Sequence, residues 1–103
     1  MKGMANLQKM LKNAKEMQEK LQKELAEMRV EGSSGGGMVT VTLDGTKSLI
    51  SIRIDPEVVN KEDIEMLQDL IVAAFNDAGT KVDESASQKL GSLGAALKIP
   101  GLF

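Results

Sequence analysis

The chain has 103 residues, 42% of them apolar, a formal net charge of −2, two Phe as its only aromatics, and neither Cys nor His. That composition suits one small domain and excludes disulfides, thiolate or imidazole nucleophiles and the usual zinc ligands. With seven Met and no Tyr or Trp, the core is thin, and a chain this size split among several elements is expected to gain stability by oligomerising.

A helix is predicted from about Met4 to Met28. Leu7, Ala14, Leu21 and Met28 recur every seven residues, with Met4, Met10, Leu11, Met17 and Leu25 on the same side, which is an amphipathic stripe. Glu16–Lys20 and Glu19–Lys23 are i,i+4 pairs in the favourable orientation. About 25 helical residues span roughly 37 Å, whereas a strand of six or seven covers only about 20–24 Å. The helix is therefore expected to overhang its own sheet, and its continuing apolar stripe to be covered by a second copy of the chain.

Val30–Ser34 is a candidate first strand, and Gly35-Gly36-Gly37 a turn into the next. A phosphate cradle would need a helix directly after the glycines and a following Lys-Ser/Thr. Here the glycines lead into Met38–Leu43, which alternates at period two, so a turn is the better reading. Leu49–Ile54 alternates likewise, placing Ile50, Ile52 and Ile54 on one face. Asp44-Gly45 and the next residues form the hairpin between them.

Asp55-Pro56 ends the sheet and begins a short helical turn through Val59. Asn60 or a neighbour caps a second helix, in which Ile64, Leu67, Ile71, Ala74, Phe75, Ala78 and Val82 recur at threes and fours. Gly79 lies inside this pattern and is expected to weaken or bend it. The periodicity resumes through Ala86, Leu90 and Leu93, as an extension or a third helix. The tail LKIPGLF, from Leu97, is apolar and broken by Pro and Gly, and is expected to pack on its own domain or fray in preference to docking a partner. The divisions are an arm over 1–29, a sheet over 30–55, a helical region over 56–96 and a tail over 97–103, all one domain.

No carboxylate cluster has calcium-loop spacing, no apolar run reaches membrane-span length and no signal peptide opens the chain. No enzyme, cofactor, metal, membrane partner or small-molecule substrate is expected, and an intracellular location is. Binding is the remaining class. Residues 1–15 contain Lys2, Lys9, Lys12 and Lys15 and no acid. A solvated helix face accounts for such charges by default. Paired in a dimer, they would meet duplex phosphates without reading bases. The alternative is a protein-interaction adaptor that uses the helical arms and the apolar tail.

The segments MANLQKMLKNAKEMQEKLQ, VEGSSGGGMVTVTLDG and SIRIDPEVV and the Gly/Leu-rich end resemble the YbaB/EbfC family of bacterial nucleoid-associated proteins, over essentially the whole chain. The resemblance implies an α+β fold: a long N-terminal helix, a short three-stranded antiparallel sheet and C-terminal helix or helices, in a tweezer-like homodimer. It also implies binding of double-stranded DNA through the helical arms, in the cytoplasmic nucleoid, with a role in nucleoid organisation and gene expression. On this chain the implied contacts are Lys9, Lys12 and Lys15, joined by Lys81 and Lys89 on the C-terminal helix.

Overall fold

The alternating segments become strands and the three-and-four patterns become helices. The computed structural model describes residues 2–97. Helix α1 covers Lys2–Glu27, strands β1, β2 and β3 cover Val30–Ser34, Val39–Leu43 and Leu49–Ile54, a 3-10 turn covers Pro56–Val58, and helix α2 covers Ile64–Leu97. The strands form one antiparallel sheet in the order β1-β2-β3. This is the expected α+β fold.

Gly35, Gly36 and Gly37 all have positive φ, 61°, 68° and 93°, a run that residues with a Cβ rarely adopt. They close the β1–β2 turn, where Gly37 N–H donates to Ser34 O at 3.1 Å. Between β2 and β3 the register shifts at Thr42/Leu43, so that Thr42 faces Ser51 and Leu43 faces Leu49. This bulge takes up Ile50 and locally strengthens the twist.

One face of β1 and β2 is covered by α2. Val39, Val41 and Leu43 are fully buried against Ala74, Ala78 and Val82, with Val58 closing one end. The small residues have a steric reason. A Cβ on Gly32 would lie 2.1 Å from Ala78 N and 2.6 Å from Ala74 O, so strand and helix backbones meet almost directly. Ser34 Oγ donates to Leu70 O, and Ser33 N–H donates to Asp77 Oδ2 at 3.0 Å. These bonds fix α2 antiparallel to β1.

Gly79 does not interrupt α2, which is one unbroken 34-residue helix. Gly79 is flanked by the buried Ala78 and Val82, and that packing outweighs a glycine cost of about 1 kcal/mol. The cap differs in detail as well. Asp63 accepts from Met66 N–H at 3.1 Å and begins α2, whereas Asn60 accepts from Glu62 N–H at 2.9 Å and holds the preceding turn.

Neither Ile64 nor Phe75 is buried as the periodicity predicts; Phe75 is 38% exposed. The flank of α2 that bears Leu70 and Asp77 binds β1, so the opposite flank, with Ile64 and Phe75, turns toward β3. Every residue of β3 is exposed, including Ile52 and Ile54, which share a face with the buried Val41 and Val39 across the ladder. A helix is too narrow to cover three strands. It leaves an open apolar strip.

The molecule measures 73 × 24 × 16 Å with a radius of gyration of 20.2 Å, against about 13 Å for a compact chain of this length. Helix α2 alone spans about 51 Å, so the extra length is α1, which stands away from the body as an arm.

Candidate nucleic-acid interface

Nothing interrupts the arm after Gly3: from Met4 to Glu27 there is no Gly or Pro, and good helix formers sustain it with little tertiary support. From Met4 to Leu21 its apolar stripe is uncovered, with exposures from 47% at Leu21 to 67% at Met10. Helical geometry places Lys9 and Lys12 on the side opposite Leu7, Ala14 and Leu21, while Lys15 borders the stripe. All three lysines are exposed, and among the described residues none has a carboxylate within ion-pair distance.

Lys20 and Lys23 extend the same face toward the body. Their spacing from Glu16 and Glu19 predicted intrahelical pairs, but no such pair closes to 4.0 Å. Long exposed side chains gain little from being held together in water. The eleven-residue spacing of Lys20 from Lys9 and of Lys23 from Lys12 was the available signal that these two join the cationic face. Lys81 is differently placed: its ammonium lies 3.1 Å from Asp77 on its own helix. Asp77 also accepts the Ser33 N–H, and that bond, followed by Lys81, holds its carboxyl below the usual range. Among the described residues Lys81 is thus ion-paired, whereas Lys9, Lys12 and Lys15 are not. The side chains of Lys2 and Lys89 lie outside the described residues, as does the tail after Leu97.

Arm charge is ordered against the helix dipole. The first turn holds no acid and the last turn no base, so the cationic tip coincides with the helix's positive end. At the foot, Arg29 supplies what the last turn lacks: its Nη1 donates to Ala26 O at 2.9 Å and Met28 O at 2.7 Å. Acid collects elsewhere, at Glu62, Asp63, Glu65 and Asp69 around the start of α2, beyond the glycine turn and so at the end of the body remote from the arm. The small net negative charge hides a long-axis separation of sign.

Among the described residues no group of three or more Asp or Glu could hold a metal ion, and no helix is long and apolar enough to cross a membrane. The class of protein this defines is an α+β body that carries an exposed, lysine-faced helical arm. The chain belongs to the YbaB/EbfC DNA-binding family, whose model matches residues 2–97. It is 55% identical over 104 residues to a nucleoid-associated protein of Geobacillus kaustophilus (strain HTA426), and 53% identical over 104 residues to one of Geobacillus sp. (strain WCH70), each alignment covering 98% of this chain and 96% of the relative. Among solved structures it is similar to an uncharacterized protein from Helicobacter pylori, with a TM-score of 0.70 and 28% identity over 84% of this chain and 91% of that one.

Proposed function

We propose that this protein is a nucleoid-associated protein that binds double-stranded DNA as a homodimer, gripping phosphates with the cationic faces of its arms and so helping to organise the nucleoid and influence gene expression. The observation that carries the reading is the exposed lysine face of α1, free of ion pairs among the described residues, in a chain of a DNA-binding family. The nucleoid location follows the names of its relatives. Lys9, Lys12 and Lys15 are the principal contacts, Lys20 and Lys23 extend them, and Lys2, Lys81 and Lys89 are secondary. With no Trp or Tyr in the chain to stack on bases, the contact is to the backbone and largely independent of sequence. The open strip on β3 and α2 and the bare stripe of α1 support a dimer, since both are apolar surfaces that a second copy would remove from water.

The test is the anisotropy of a labelled duplex titrated at several salt concentrations. Log affinity is expected to fall linearly with log salt, the slope divided by about 0.9 counting the phosphates neutralised. Lys12→Glu should weaken binding equally on unrelated duplexes and lower the slope by about one per arm. Loss on a single sequence, or saturating protein with no binding at low salt, defeats the reading.

A further inference from the structure

The β2–β3 loop, Asp44–Ser48, touches both helices where they leave the sheet. Its Gly45 N–H donates to Leu25 O at 2.8 Å, giving this last-turn carbonyl of α1 a second and shorter bond beside that from Met28 N–H at 3.2 Å. Apart from bonds to its own flanking residues, this is the one backbone hydrogen bond between α1 and the rest of the chain among the described residues. The fit is tight. A Cβ on Gly45 would lie 2.8 Å from Leu25 Cδ2 and 2.9 Å from both Leu25 O and Met28 Sδ, so any side chain must push the foot of the arm away.

On its other side the loop reaches α2. Lys47 Nζ lies 2.9 Å from Asp83 Oδ1, and residues 84–97 continue that helix about 20 Å beyond the pair. Lys47 is the only non-glycine residue with positive φ among those described, at 66°. Asp44 keeps the loop in this shape: its Oδ1 accepts from Thr46 N–H at 2.8 Å, Thr46 O–H at 2.6 Å and Ser48 N–H at 3.0 Å. Both helices project from this end of the sheet, so one small loop grips the root of each.

We propose that this loop sets the spacing between the α1 arm and the distal half of α2, with Gly45 and Lys47 as positioning residues for the DNA contact; the last clause rests on the DNA-binding reading above. Lever length gives the loop its influence. A tilt of about 10° at the foot of a helix about 39 Å long moves its tip by about 7 Å, two phosphate spacings along one strand of a duplex.

The chain lacks Cys, so spin labels can be placed at Asn13→Cys and Gln88→Cys and their separation measured by double electron–electron resonance, in samples diluted with unlabelled chain. In this background Gly45→Val should shift or broaden the distance distribution and lower the salt slope of duplex binding by about one. Asp83→Asn, an exposed change that leaves the core alone, should broaden the distribution and weaken duplex binding, even though removing an anion would by charge alone tighten it. Lys47→Arg keeps the pair and should behave as the parent. An unchanged distribution in both Gly45→Val and Asp83→Asn overturns the proposal, as does a changed one with unaltered duplex affinity. If the parent binds no duplex at low salt, the DNA reading falls, and the distances still decide whether the loop spaces the helices.

Discussion

Asp44 shows how one side chain can organise more than its own turn. It is 8% exposed and its carboxylate is held below the usual range by the Thr46 hydroxyl first and the Ser48 N–H next. A carboxylate whose folded pKa is depressed adds stability that is fully present above its unfolded value, about 3.9, and is lost as pH falls through the lower folded value. Asp77 contributes with the same sign, through the Ser33 N–H and Lys81. Asp44→Asn should therefore lower the thermal midpoint near neutral pH, and its difference from the parent should shrink as pH drops below about 4. Melting curves by circular dichroism across that range check this; a difference that grows on acidification would reverse the sign assigned to the group.

At the level of elements, α2 offers the cleanest stability test. A Cβ on Gly79 would meet nothing within 4 Å, and the residue has helical neighbours on both sides. Gly79→Ala should stabilise the fold by about 0.5–1 kcal/mol, read as a higher denaturant midpoint with an unchanged slope. The strands and both helices were legible in the sequence because period-two and period-3.6 patterns are local. The extent of α2 was not. Whether a helix survives Gly79 depends on what Ala78 and Val82 pack against, and that partner, β2, lies some forty residues away in sequence. The same holds for Phe75, whose apolar spacing said buried while the width of the sheet leaves it at the rim. For the candidate interface, the missing acid among the first fifteen residues pointed to Lys9, Lys12 and Lys15. The exposed continuation to Lys20 and Lys23 was obscured by well-spaced glutamates that do not close on them. Gly45 carried no sequence signal beyond its turn, since its importance lies in what α1 places beside it.

For the whole molecule, the three-stranded sheet is half finished on its helical side. Ile52 and Ile54 sit beside buried valines yet remain 38% and 37% exposed. If this strip is where two copies meet, Ile52→Asp should convert the dimer to monomer in sedimentation velocity while leaving the far-ultraviolet spectrum of each chain largely intact. A variant that sediments like the parent would move the interface elsewhere, with the stripe of α1 as the next surface to alter.

From Gly3 to Glu27 the polar side of the arm faces solvent, and the buried cluster of the body contains no residue from α1. A substitution on that side removes no packing and opens no cavity, so its cost to folding stays within about 0.5 kcal/mol. The body must keep Gly32, Ala74 and Ala78 small and Val41 and Leu43 large, or lose its fold. The charged side of the arm answers to no such constraint. If the arm binds DNA as proposed, that grip can therefore be strengthened, weakened or moved along the helix one residue at a time, with the margin of stability left almost untouched.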